Sequence, residues 1–353
     1  MDKNRVDSIT LPRSTVAIAL LALLACIVVW GAAVLSHERA RDHAFDAVAR
    51  HGGRMRVRDS KPDLARRAIG TRLDALFDAA EIVNLHASAA DDATLADLST
   101  LTETRSLLLS NTTIGDDGVS NLRHLSELVQ LDLSHTRVGD EGMKTVGMLS
   151  KLEGLDLSHT KVTDAGTGRL EGLTGLRWLG LNGTAVTDAG LASLAKFRHL
   201  RRLSLRNMKL TGAGLVHVGT LSELEVLDLT GSSVDDEGLT HISSLPRLRR
   251  LVLYGTNVRG PCMAHIAKLP CLLDLVIVKT RVTDPYLEPL YGHPALQTVA
   301  VSRPYVSPQG VERLRSALPR TLVSYARRDE VKRWLPTPAT LRPSPELCVR
   351  VRE

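Results

Sequence analysis

Several sets of residues in this chain have types and spacings that could do chemistry. Asp132-x-Ser134-His135 and Asp156-x-Ser158-His159 each hold an acid, a hydroxyl and an imidazole within four positions. Such a set invites acyl transfer, with serine as nucleophile and histidine as base. The spacing argues otherwise. Identical neighbours 24 residues apart indicate a duplicated unit, whereas a triad needs one constrained nucleophile, a base within reach and an oxyanion hole. No G-x-S-x-G, H-E-x-x-H or G-x-x-x-x-G-K-[ST] is present. We expect no catalytic residues, no cofactor and, the His135–His159 pairing being weak, no metal.

A column of aspartates (Asp116, Asp140, Asp164, Asp188, Asp236 and Asp284) suggests a calcium array, but its spacing does not match nonapeptide calcium repeats. Each stands where a helix is expected to begin, so the column reads as helix caps. A second column, Thr112, Thr136, Thr160, Thr184, Ser232, Thr256 and Thr280, supplies hydroxyls to buried loop backbone. Met208 and Pro304 interrupt it. The four cysteines show neither a C-x-x-C pair nor metal-ligand spacing.

These columns belong to one period. Leu-x-Leu pairs recur every 24 residues from Leu107/Leu109 to Leu251/Leu253, continued by Leu275/Ile277 and Val299/Val301, with Val83/Leu85 and Val323/Tyr325 at the ends. In the unit Leu155–Leu176, Leu155 and Leu157 alternate with polar neighbours, as in a strand buried on one face. Leu170, Leu173 and Leu176 then suit a helix and the turn into the next strand. One unit cannot bury both faces; stacked copies can. The expected fold is therefore a curved α/β solenoid of about ten strand–helix repeats.

Inward leucines turn their neighbours toward the strand face. In the central units Trp178, Arg202, Arg206, Asp228, Arg250 and Tyr254 share that face. Trp, Tyr and Arg are enriched in binding hot spots. These six are the expected contacts to a protein ligand, with Asp228 setting register against a basic group. Trp178 and Tyr254 would also serve as stacking platforms for an envelope glycan, the second partner considered.

Leu152-x-x-Leu155-x-Leu157-x-x-Thr160-x-Val162 is similar to the leucine-rich repeat pattern, with Thr where that family has Asn or Cys. Val162-Thr163-Asp164-Ala165-Gly166 and Val186-Thr187-Asp188-Ala189-Gly190-Leu191 resemble its T-D-x-G-L variety, as in cysteine-containing repeats and in planctomycete proteins. Upstream, Ala47–Val57 and Leu73–Leu85 resemble the lead-in of membrane-anchored planctomycete members. The resemblance implies a non-enzymatic scaffold that binds protein on its concave face.

The flanks differ from the repeats. Residues 1–13 form a short basic tail, and residues 14–36 carry no charge. As a helix these residues would reach about 34 Å, enough for a ~30 Å hydrocarbon core. The run is too long for a signal peptide h-region. We expect a single-pass transmembrane anchor, leaning to an extracytoplasmic repeat domain. Residues 37–82 read as an α/β linker and cap, in which Thr71-x-x-Asp74 opens a helix burying Leu73, Leu76, Phe77 and Ala80. Residues 83–325 form the solenoid, and 326–353 a mobile tail rich in Pro and Arg. The net charge of +6 divides into +3 on each flank, leaving 25 basic and 25 acidic residues in the repeats. That neutrality argues against nucleic acid, whose phosphates demand a basic surface.

Overall fold

The protein is seen here as a computed structural model that describes residues 39–59 and 78–326, with Val29, Ala32 and Ser36. The basic tail, nearly all of the expected span 14–36, the Thr71–Asp74 helix opening and the residues beyond 326 lie outside the described residues.

Twelve strands form one sheet in chain order. They are β1 (Arg54–Asp59), β2 (Asp78–Asn84), β3 (Ser106–Leu108), β4 (Gln130–Asp132), β5 (Gly154–Asp156), β6 (Trp178–Gly180), β7 (Arg202–Ser204), β8 (Val226–Asp228), β9 (Arg250–Val252), β10 (Asp274–Val276), β11 (Thr298–Ser302) and β12 (Leu322–Ala326). From β2 onward every pair is parallel, and each residue meets the one 24 positions later, as in Leu155↔Leu179. The repeat length therefore sets the register. β1 is the exception, lying antiparallel to β2 with an irregularity between Arg56 and Val57.

Between the strands the chain makes short α and 3-10 turns, such as Asp164–Gly168 and Thr240–Ile242. The longest helix between strands, Pro308–Ala317, stands near the end, and Asp92–Leu98, Gly190–Lys196 and Asp284–Leu290 run to seven residues each. After a strand and two crossings, a 24-residue unit leaves room for about one or two helical turns. Leu155, Leu157, Leu170, Leu173 and Leu176 are all fully buried, each side chain contributing roughly 1.5–3 kcal/mol by leaving water. One continuous core runs from Ala44 to Val323.

Two expectations need correction. The solenoid is not preceded by a transmembrane helix in the described fold: among the described residues no helix is long and apolar enough to cross a membrane. What stands before the sheet is a helical stretch over 39–50. Its small residues Ala44 and Val48 pack into the first repeat's core, and Arg50 reaches Asp97 at 3.7 Å. Its apolar stripe is narrow and faces protein. Ala80, expected in a helix, lies in β2 opposite Val57.

The aspartate column differs as well. Each carboxylate stands inside its own first turn, or just before it, and reaches sideways to the following repeat. Asp140 accepts from Thr163 N at 2.8 Å and Thr163 Oγ1 at 2.6 Å, and Asp164 accepts from Thr187 N and Oγ1, both at 2.7 Å. Asp116 serves Gly139 and Gly142. Asp188 serves Thr211, Gly212 and Gly214. Asp236 serves Arg259, Gly260 and Cys262, and Asp284 serves Ser307. Local capping falls to other residues: Thr163 accepts from Ala165 N, Asp235 from Gly238 N and Ser307 from Gly310 N. This explains the glycine of T-D-x-G. A Cβ at Gly166 would collide with Asp140 Oδ1, and one at Gly190 with Asp164 Oδ1.

The hydroxyl column acts within its own repeat. Thr112, Thr136, Thr160, Thr184, Ser232, Thr256 and Thr280 each donate to the carbonyl three residues earlier. They satisfy the carbonyls at which the chain leaves the strand.

Candidate functional site

The strands lie ~4.8 Å apart, closer than the convex turns can pack, so the strand face is the inner one. Pairing places Trp178, Arg202, Val226 and Arg250 in one column, and Gly180, Ser204, Asp228 and Val252 in the next. All six expected contact residues therefore share one surface, yet it does not offer them equally.

Trp178 is only 4% exposed. Its ring lies over Gly154, where a Cβ would stand 3.6 Å from Cε3, so the indole fills the gap left by a neighbour without a side chain. It forms part of the wall rather than a projecting anchor, and it presents no open face to a sugar. Tyr254 is half-buried, and Lys279 Nζ lies 4.8 Å from its ring centroid. The glycan expectation loses both stacking platforms.

Asp228 is 0% exposed, which corrects its role as a direct contact. Its Oδ1 accepts from Thr230 N at 2.9 Å and from the Thr230 hydroxyl. Its Oδ2 has no hydrogen bond and lies 3.7 Å from Arg206 Nε. Burial raises its pKa against the opposing hydrogen bonds from Thr230 and the charges of Arg206 and Arg250. The accessible groups are the arginines: Arg206 is 18% and Arg250 31% exposed by side chain, the latter 4.0 Å from Asp274, while Arg202 is half-buried.

The Asp-x-Ser-His sets resolve into turn chemistry. Ser134 donates its hydroxyl to Asp132 Oδ1 at 2.7 Å, and Ser134 N and Ser158 N donate to Asp132 and Asp156. His135 and His159 stack with centroids 4.3 Å apart and planes 20° from parallel. Burial, then the charge of His135, lowers the pKa of His159. Both histidines hold positive φ, at 56° and 57°. Asn111, Gly183, Asn207, Gly231, Gly255 and Lys279 share that left-handed position, the signal being the recurring Asn, Gly or His one residue after the strand face ends.

Two features escape the repeat-by-repeat reading. Asn182 links three units: its Nδ2 donates to Ser158 Oγ at 2.9 Å, and its Oδ1 accepts from Ser204 Oγ at 2.6 Å and Arg206 N at 2.9 Å. It supplies to Arg206 N the acceptor that other units draw from an aspartate at the position of Ser204. Second, Val252, Val276, Val278 and Ala300 form an apolar cluster of their own on the strand face, flanked by Tyr254. The signal was a lost alternation, since Leu251–Tyr254 and Leu275–Val278 carry Val where other units carry Asp or Ser. On the loop edge, Asp235, Asp236, Glu237, Asn257, Arg259 and Arg281 line an open polar groove, but Asp236 is committed to the next repeat's backbone.

A parallel sheet built in 24-residue steps, with one strand surface turned from the core, defines a repeat solenoid. A family model described as a leucine-rich repeat region matches residues 75–316, and the chain belongs to the leucine-rich repeat family. Its members are generally protein-binding scaffolds and typically not enzymes. An internalin from Listeria monocytogenes has the same fold at 22% identity and a TM-score of 0.52, over 66% of this chain and 71% of that one. Also similar is the leucine-rich repeat ectodomain of the membrane receptor kinase GASSHO1/SCHENGEN3 from Arabidopsis thaliana, solved with Casparian strip integrity factor 2. It shows 21% identity, 61% and 26% coverage and a TM-score of 0.46. A TDR receptor gives 18%, 65% and 44%, and 0.46. No curated protein sequence matches the chain.

Proposed function

We propose that this protein is a non-enzymatic scaffold that binds a protein partner on the strand face from β7 to β11. The observation that carries the reading is the strand face from β7 to β9, where Arg202, Arg206, Arg250 and Tyr254 reach the surface in part beside the buried cluster of Val252, Val276, Val278 and Ala300. Arginine and tyrosine gathered on one rigid face are residue types enriched in binding hot spots. Held on a sheet whose register is repeated over eleven strands, this face loses little conformational freedom on association.

Bulk tests this without altering charge. Val226→Trp/Thr298→Trp fills the middle of the face at two half-buried positions. In-cell crosslinking followed by mass spectrometry should lose the partners captured by the wild-type chain. An unchanged partner set, from a variant whose melting curve matches wild type, refutes binding at this face.

A further inference from the structure

We infer that the loop edge following β9, β10 and β11 is a second docking surface, beside the strand face, and that it takes a short acidic segment of a protein. The carboxylates of that segment lie over Arg259, Lys279, Arg281 and Arg303, with Tyr286 and Tyr305 as its aromatic border.

The edge is built by the same repeat as the strands. Gly255 N donates to Val278 O and Arg281 N to Val258 O, so successive loops keep the strand spacing of ~4.8 Å. After β6, β8 and β9 two corresponding loop positions hold Gly183 and Ala185, Gly231 and Ser233, then Gly255 and Asn257. After β10 and β11 the same positions hold Lys279 and Arg281, then Arg303 and Tyr305. These four side chains are exposed, as are Arg259 and Tyr286.

Among the described residues none of the four cations pairs with a carboxylate. Arg259 gives Asp236 its backbone N–H rather than its guanidinium, and Asp284 is taken up by Ser307 and by Arg313 at 3.2 Å. Lys279 and Arg303 lie instead over uncharged rings, Nζ 4.8 Å from the Tyr254 centroid and Cζ 5.3 Å from that of Tyr325. A ring orients a cation without neutralising it, so both reach the surface with their charge intact. Tyr286 is seated by a glycine, its ring filling the space that a Cβ on Gly260 would need. Oriented arginine beside exposed tyrosine is hot-spot chemistry.

The groove next to the patch decides which anion fits. Asn257, Arg259 and Arg281 line it together with Asp235, Asp236 and Glu237 of the preceding repeat. A nucleic acid, charged at every step, would run from the arginines onto the exposed Asp235 and Glu237. A peptide can end its acidic run there and leave those carboxylates to a neutral residue. Guanidiniums also bind carboxylates through paired hydrogen bonds.

Fluorescence anisotropy of the full chain tests this with three labelled probes. One is a twelve-residue peptide of six alternating Glu and Asp followed by six alternating Gly and Ser. The second replaces its acids with Lys, and the third is a twelve-nucleotide oligothymidylate. The acidic peptide should bind about tenfold more tightly than either of the others and weaken as salt is raised. Arg259→Gln/Arg281→Gln should weaken it about tenfold, and Asp235→Asn/Glu237→Gln should tighten the oligonucleotide. Equal or tighter binding of the lysine peptide or the oligonucleotide overturns the inference. So does no binding of any probe, or no effect of the glutamine pair in a chain that melts like wild type. An oligonucleotide that gains nothing from Asp235→Asn/Glu237→Gln overturns the choice of a peptide. The strand-face reading is tested apart: Val226→Trp/Thr298→Trp should leave the peptide's affinity at the wild-type value, and a loss there moves the peptide to the strand face and overturns the edge site.

Discussion

The strand faces of β4–β5 and β8–β10 are built on the same backbone in the same register, and they present opposite chemistries. In the first, Asp132 and Asp156 hold the N–H groups of Ser134 and Ser158 within their own turns, ending in the stacked His135 and His159. No Lys or Arg stands among the face positions of those two strands. In the second, Arg250, Tyr254 and Lys279 lie in part at the surface, over a buried apolar cluster and the buried carboxylate of Asp228. Behind both, the leucines are indistinguishable. A solenoid therefore separates its tasks by direction: inward residues hold neighbours together, while outward residues are free to diverge.

The largest effect should be the same in both regions. Leu155→Ala and Leu251→Ala each remove a fully buried side chain from one continuous core, and each should cost about 2–5 kcal/mol in chemical denaturation. A difference larger than that range would mean the two regions unfold separately, and the comparison would have to be made between two folding units.

Next comes the coupling between repeats. Gly190→Ala forces a Cβ into Asp164 Oδ1, and Asp164→Ala removes the acceptor of Thr187 N and Oγ1. Each should cost about 1–3 kcal/mol. A double-mutant cycle should show the pair to be less costly than the two singles added, because the carboxylate is what the methyl strikes. Strict additivity would show that the glycine is required for another reason.

The smallest effect separates the two kinds of aspartate by pH. At Asp188 burial opposes ionisation, but the N–H groups of Thr211, Gly214 and Gly212 and the Thr211 hydroxyl outweigh it, so the pKa is lowered. A lowered folded-state pKa stabilises above the ordinary carboxylate value, and that stability is lost as pH falls through the folded value. Asp228 has the opposite sign: burial raises its pKa, its charge costs stability above the ordinary value, and acid relieves the cost. Asp188→Asn should lower the melting temperature at pH 7 and flatten the acid slope. Asp228→Asn should leave the melting temperature at pH 7 level or higher. Equal losses from both substitutions would erase the distinction.

Much of this was legible in the chain. The 24-residue step predicts a parallel register, and Leu155, Leu157 and Leu170 predict their own burial, because hydrophobic alternation depends only on local geometry. The hydroxyl column was legible for the same reason, its bonds closing within three residues. The aspartates were harder. A residue at the start of a helix looks like a cap for that helix, and only the neighbouring coil shows that its acceptors serve a backbone 23 residues away.

On the candidate face, residue type and side were readable, but accessibility was not. Trp178 and Asp228 point outward by alternation, yet one is folded over Gly154 and the other submerged between neighbours. By itself the sequence determined the repeat, the leucine core and the membership of each column, all of which follow from period and polarity. Only the tertiary structure decided which outward groups a partner can touch. Exposure on a tightly spaced sheet depends on the size of side chains one strand away, 24 residues distant in sequence and under 5 Å in space.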